Sequence, residues 1–378
     1  MYRHVSRRTR LSAALLGFAV TLSACVTASD SGTPSPAVSP PTPEIAFVTN
    51  NGAGNVSSYS ISDGQLSYTP TGVTTTVSMS VPRWVTLNGG FAYVANMGLG
   101  DVSTYTVSQG LMSTTPVSTT TAVVGSKPNK ILLNSTGTLA YVSNLGAGDI
   151  STYAIANGIL SSTPIGTTTP ATGYNLAGIG FGPGGNHLYA VYFNSTGAGY
   201  TASYVVTAGL PAQTPLSTTA VVTGTNPMGV AVGATGQYVY VVNTGTGDTD
   251  TFTSTNGVLS TSPVATTTAV TGSMPFIDTL DPSGNFLYVA NQGTGTIASY
   301  GISNGLLSAT PVSVTTAVPG SGPFGIVVGP AARFIYVANK GNGTVASYSI
   351  NNGMLSSSPV STTTPVSGSG PFWIAIGS

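Results

Sequence analysis

Side chains able to move protons or hold a metal are scarce in this chain, so each can be weighed singly. Hydrolysis of an ester needs an acid or a base near the scissile bond, and beyond the first ten residues the only histidine is His187. At the matching place in other copies of an internal repeat stand Tyr238, Phe286 and Phe334, so His187 reads as one more ring filling an aromatic slot. Gly301-Ile302-Ser303-Asn304-Gly305 has the spacing of a nucleophile elbow, but an elbow needs a strand running through it into a helix. The matching segments elsewhere read Ser-Asp-Gly, Ala-Asn-Gly and Asn-Asn-Gly, which are hairpin turns. One cysteine and one histidine cannot build a nitrogen and sulfur metal site. Asp248-Thr249-Asp250 offers oxygen to calcium without the further ligands that ion requires, and reads as a turn cap. No cofactor and no metal is expected.

Two features rise above this background. Arg83, Trp84, Asn129, Lys130, Phe276, Phe324, Phe372 and Trp373 all fall two or three places into one phase of the repeat. An arc of exposed rings beside a guanidinium suits stacking on a sugar or another flat ligand; the alternative is that the rings plug the tapering channel. Asp278 occupies a strand position that is elsewhere Val85, Ile131, Ile179, Val230, Ile326 and Ile374. A carboxyl there is desolvated between sheets, which raises its pKa and either equips it as an acid or base or leaves it a structural group bonded to water or backbone, the reading favoured by residue type alone.

The elements that must position these residues come from the repeat. An aromatic-Val-x-Asn phrase begins at Phe47, Tyr93, Tyr141, Tyr240, Tyr288 and Tyr336, with a decayed copy at Tyr189, so the starts lie 46, 48, 48, 51, 48 and 48 residues apart. Charged residues make up 5% of the chain and glycines number 49, which argues against helices and for strands broken by turns. In the seventh copy four strands are expected at residues 324–328, 334–339, 344–350 and 355–360, the last with a Thr-rich continuation. The turn between the last two is Asp63-Gly64, Asn157-Gly158, Asn256-Gly257, Asn304-Gly305 or Asn352-Gly353 in five copies, the chemistry of a type I′ hairpin. A single sheet of this size cannot cover both its faces, whereas a ring of them can. The first copy opens directly on its second strand at Ile45, while Phe372 to Ile376 is an orphan first strand at the other end. The expected fold is therefore an all-β, seven-bladed β-propeller with four-stranded blades, closed by pairing the C-terminal strand with the N-terminal blade.

Residues 1–24 combine Arg3, Arg7, Arg8 and Arg10 with an apolar run from Leu11 to Val20, the pattern of a signal peptide. Leu22-Ser23-Ala24-Cys25 resembles the lipobox of bacterial lipoproteins, which implies a diacylglycerol on Cys25 and a chain anchored to the cell envelope, with Val26 favouring the outer membrane. Ser6 to Leu11 also resembles a twin-arginine signal, which leaves the export route open between that pathway and the general one. Residues 25–43 read as a Ser/Thr/Pro-rich tether and residues 44–378 as the propeller. Loss of residues 1–24 leaves five basic and nine acidic residues, a formal charge of −4 that argues against nucleic acid as a partner.

The Tyr-Val-x-Asn phrase with its Gly-rich turn resembles the YVTN repeat of bacterial propellers, and through it the lactonase-type propellers, 6-phosphogluconolactonase among them. That resemblance implies lactone hydrolysis at the mouth of the central channel. In the family the first strand typically begins Pro-Arg-His; here Pro82-Arg83-Trp84 keeps the arginine and replaces the histidine. Asn96-Met97 and Asn291-Gln292 also depart from the family's Asn-Glu and Asn-Arg. The scarcity of ionisable groups favours a monomeric, non-enzymatic binding or scaffold propeller held at the membrane by its lipid, its ligand a carbohydrate or another small molecule. The resemblance, with Arg83 and Asp278 as its weak catalytic candidates, favours a lactone hydrolase instead.

Overall fold

The computed structural model describes residues 44–366 and 368–377; Cys25, the signal segment and the tether lie outside them. Seven antiparallel sheets follow one another, each running outward from an inner strand. In the seventh blade the inner strand is Pro323–Val328, the second Phe334–Asn339 and the third Thr344–Asn351. The outer strand departs from expectation. It is broken into Met354–Leu355 and Ser361–Thr362, both paired with the third strand. Pro359, which has no N–H to give a ladder, lies in the interruption, and the Ser356 hydroxyl turns the chain there by donating to the carbonyl of Ser358. The Thr-rich continuation then acts through its side chains: Thr363 Oγ1 accepts from the Val345 amide at 2.9 Å. The same bond, spanning 18 residues, occurs in all seven blades.

The recurring phrase has a physical reading. Asn96 Nδ2 donates to Asp101 Oδ1 at 2.7 Å and to Ser103 Oγ at 2.9 Å, stapling the second strand to the third. In three blades the phrase tyrosine donates to the hairpin glycine carbonyl of the next blade, Tyr93 to Gly158 at 3.0 Å, Tyr141 to Gly209 at 2.7 Å and Tyr240 to Gly305 at 3.0 Å. The expected hairpins form, with φ of 47° at Asn352 and 75° at Gly353. Phe334, Phe91, Tyr238 and Phe286 lie flat on the hairpin glycines Gly64, Gly158, Gly305 and Gly353, where any Cβ would collide with the ring.

Ring closure is made at two radii. Pro371–Gly377 pairs antiparallel with Glu44–Asn50, Ala46 opposite Ile376 and Val48 opposite Ile374. At the rim the Thr364 amide donates to the Tyr68 carbonyl at 2.9 Å, repeating a bond that joins every other pair of neighbouring blades, such as Thr75 to Thr114 and Thr316 to Ser357. The seam is thus bonded like any other junction, and burial of Phe372 and Ile374 adds apolar area to it.

Candidate functional site

Every inner strand carries a register slip at its second or third residue. The slips lie between Pro82 and Trp84, Pro128 and Lys130, Leu176 and Gly178, Pro227 and Gly229, Pro275 and Ile277, and Pro323 and Gly325, with one opposite Phe372 in the first blade. A bulge leaves one residue out of the ladder and re-aims its side chain. The seven residues so released are Arg83, Asn129, Ala177, Met228, Phe276, Phe324 and Phe372, and all of them line a single cavity of about 160 Å³. A space touched by the inner strands of all seven blades lies on the ring axis.

All eight residues expected to rim the channel mouth, namely Arg83, Trp84, Asn129, Lys130, Phe276, Phe324, Phe372 and Trp373, line this cavity. Of the two expectations, an exposed arc and rings that plug the channel, the structure departs from the first and is nearer the second. Phe276, Phe324 and Phe372 close on one another with centroid separations of 4.3, 4.9 and 5.9 Å. Trp84 and Trp373 stack at 3.4 Å with 15° between planes. The rings taper inward and bury each other's faces, leaving Trp84, Phe324 and Phe372 under a tenth exposed. They make the wall of a pocket and not a surface platform.

Sequence reasoning missed a second tier. Leu145 and Phe193, each directly after the phrase, also line the cavity, and Met97 and Lys340 occupy the same place in their own blades. The signal was available as the residue following the phrase asparagine, or following Tyr192 in the decayed copy. Arg83 stands over the Phe372 ring, Cζ 4.2 Å from its centre, and its Nε donates to Met97 Sδ at 3.1 Å. Lys340 Nζ is 4.6 Å from the Phe324 ring centre and 5.5 Å from that of Phe372. Burial pushes Arg83 down to about 10, and burial together with the Arg83 charge pushes Lys340 down. No carboxylate offsets either shift. Lys130 Nζ lies 5.1 Å from the Trp84 ring centre; burial lowers its pKa to about 8, against the pull of Asp278.

Asp278 takes the place expected of it. It is 8% exposed, and burial raises its carboxyl to about 7, opposed by Lys130 and by its own backbone amide. Its Oδ2 has no hydrogen-bond partner. Gly229 of the fifth blade makes the room: a Cβ there would stand 2.8 Å from Asp278 Oδ1. The cavity wall is formed by its neighbour Ile277, so Asp278 lies a layer behind it.

The remaining candidates are placed elsewhere. His187 is half-buried against hairpin Gly257 of the next blade, at the end of its inner-to-second-strand turn. Ser303 pairs with Leu306 in a hairpin. Asn243 Nδ2 donates to both Asp248 and Asp250 at 2.8 Å, so these carboxylates cap a turn. Among the described residues no group of three or more His, Cys, Asp or Glu side chains is arranged to hold a metal.

A family profile described as a seven-bladed β-propeller lactonase matches residues 19–174 and 178–375. No curated protein matches. Among solved structures, a protein from Lactobacillus plantarum superposes with a TM-score of 0.72 at 16% identity, covering 89% of this chain and 99% of that one. A putative 6-phosphogluconolactonase from Bacteroides uniformis gives 0.72 at 16% identity over 89% and 100%. The periplasmic gluconolactonase of Pseudomonas aeruginosa gives 0.70 at 17% over 89% and 99%. At such identities the likeness is one of fold.

Proposed function

The chain belongs to the seven-bladed β-propeller lactonase family, and from that premise we propose that its axial cavity binds a small lactone and opens the ring by hydrolysis. The observation that carries this reading is the cavity itself, an apolar, ring-walled space of about 160 Å³ at which Arg83 and Lys340 hold charges without an anionic partner. Its size is close to the roughly 150 Å³ of a cavity that admits benzene, so a five- or six-membered lactone fits. Aromatic walls take the apolar face of such a ring, and a guanidinium suits a carbonyl or carboxylate oxygen. Purified propeller mixed with a panel of sugar and acyl lactones should release acid faster than the uncatalysed reaction, and Trp84→Ala and Phe372→Ala should weaken substrate capture. A full panel without turnover overturns the proposal.

One observation favours non-enzymatic binding instead, the reading that the composition alone favoured: among the described residues no carboxylate and no imidazole lines the cavity. Binding of a lactone or its hydroxy acid by calorimetry, without turnover, would select that reading. The envelope address belongs to the same proposal. Cys25 carries the lipid in either case, and metabolic labelling with a fatty acid tests it, since a mature chain without label at Cys25 removes the anchor.

A further inference from the structure

We propose that Lys130 is the proton acceptor of the axial cavity and that Asp278, behind the cavity wall, is the positioning residue that sets its charge. The step this pair would serve rests on the lactonase reading; the pairing itself does not. Lys130 is the one amine among the described residues lining the cavity, and its ammonium stands over the Trp84 indole, 5.1 Å from the ring centre. It stands on the inner strand Pro128–Leu133 of the third blade, while Asp278 stands on Pro275–Leu280 of the sixth. The attraction between them therefore reaches across the axis.

Three features show that the pair is a departure from the repeat. Lys130 holds a position that is glycine in three other blades, at Gly178, Gly229 and Gly325. Asp278 holds one that is Val or Ile in the other six. Gly229, which faces Asp278, is what leaves space for its carboxylate. A nearly buried carboxyl with an unpartnered oxygen is costly, and a structural role would ordinarily bring it a bond. Set behind the cavity wall against Gly229, it acts on the Lys130 ammonium through charge and not by contact.

The groups around Lys130 are few. Arg83 is the other ionisable side chain in the cavity wall, Lys340 stands beyond it over Phe324 and Phe372, and Asp278 is the carboxylate that acts on Lys130. Burial favours the neutral amine, so a base is present near neutral pH. In the reaction a water oxygen bonds to the lactone carbonyl carbon while its proton passes to Lys130 Nζ. The ring C–O bond then breaks, and the departing alkoxide takes that proton back. The product is a hydroxy acid, whose carboxyl proton goes to solvent, and Lys130 ends neutral.

The test needs no substrate. The full-length protein is labelled with a trace of acetic anhydride across a pH series, and acetylation of the Lys130 peptide is read by mass spectrometry against a free lysine derivative. An amine at about 8 instead of 10.5 has its labelling midpoint near pH 8 and at neutral pH carries roughly three hundredfold more free base than the derivative. In Asp278→Asn the midpoint should move to lower pH, because the carboxylate that favours the ammonium is gone. A merely structural Asp278 would leave the midpoint in place. A wild-type midpoint near that of free lysine, or one unmoved in Asp278→Asn, overturns the inference. The lactone panel then separates the two claims. Turnover whose pH limb follows the labelling midpoint supports both, and no turnover with a shifted Lys130 removes the lactonase reading while the pairing stands.

Discussion

Replacing Asp278 by valine, the residue its position holds in two other blades, should stabilise the protein at alkaline pH. The carboxyl rises from 3.8 unfolded to about 7 folded. A raised acid pKa means that the folded chain binds the proton more tightly than the unfolded one. The stability Asp278 supplies is therefore complete below pH 4 and is lost as pH rises through 7. At about 1.4 kcal/mol per tenfold change in proton affinity, the loss amounts to roughly 4 kcal/mol. Valine has no such titration, so the advantage of Asp278→Val should grow by about that amount between pH 4 and pH 9. The attraction of Lys130 already lowers the carboxyl to that value of about 7, so it calls for no further subtraction from the gain. Urea unfolding at several pH values measures the difference, provided the slope with denaturant is unchanged. An advantage that is the same near pH 5 and pH 9, or a variant less stable than wild type near pH 9, would refute a buried, ionisable Asp278.

Two further outcomes follow from the ring. Gly257→Ala should cost about 2–3 kcal/mol, because its φ of +83° strains alanine and its Cβ meets the His187 ring, whereas Gly272→Ala, at φ +74° with nothing within 4 Å, should cost only about 1 kcal/mol. Equal losses in urea unfolding would show that His187 does not press on the turn. Deleting residues 371–378 removes the inner strand of the first blade, with Phe372 and Trp373 of the cavity wall, and leaves Glu44–Asn50 without its partner. The truncated chain should melt lower and self-associate through its open edge, and unchanged melting as a monomer would contradict closure at this seam.

The fold was legible because a sevenfold ring states its own rules seven times. A turn that needs positive φ at two successive residues appears as Asn-Gly or Asp-Gly in five copies, and the other two show how far the position tolerates substitution: Gln109 and Ala208 adopt φ of 49° in the same hairpin. The broken outer strand was not legible as such. Strand propensity continues through the Ser/Thr run, and only the competition between side-chain and backbone acceptors, with Thr363 Oγ1 taking the Val345 amide, decides where pairing stops. The cavity residues of the inner strands could be located by phase, since in six of the seven blades they follow the proline that opens the strand, the fourth blade having Leu176 there. Their mutual contact could not, because a phase in the repeat says which residues face the axis and not how much space the rings leave there. The second tier escaped for a simpler reason: the residue after the phrase varies from Asn51 and Met97 to Lys340, and variation at one position looks like a loop until geometry gathers it.

That variation separates structure from chemistry in this protein. Where stability alone acts, the blades agree: the hairpin glycine and the Thr acceptor recur in all seven. Where the seven inner strands meet, identical residues would face one another around an axis, and seven equal charges could not share so small a space while seven equal rings would fill it. A cavity holding Arg83, Lys130 and Phe276 side by side therefore requires the copies to diverge at their bulges and at the residue after the phrase. Asp278 is the sharpest case, since its position lies between blades, where the other six copies keep Val or Ile, and its raised carboxyl weakens the fold at neutral pH. A carboxyl that costs stability there is what the proposed pairing with Lys130 would account for, and the pH dependence of Asp278→Val together with the Lys130 labelling midpoint decides it.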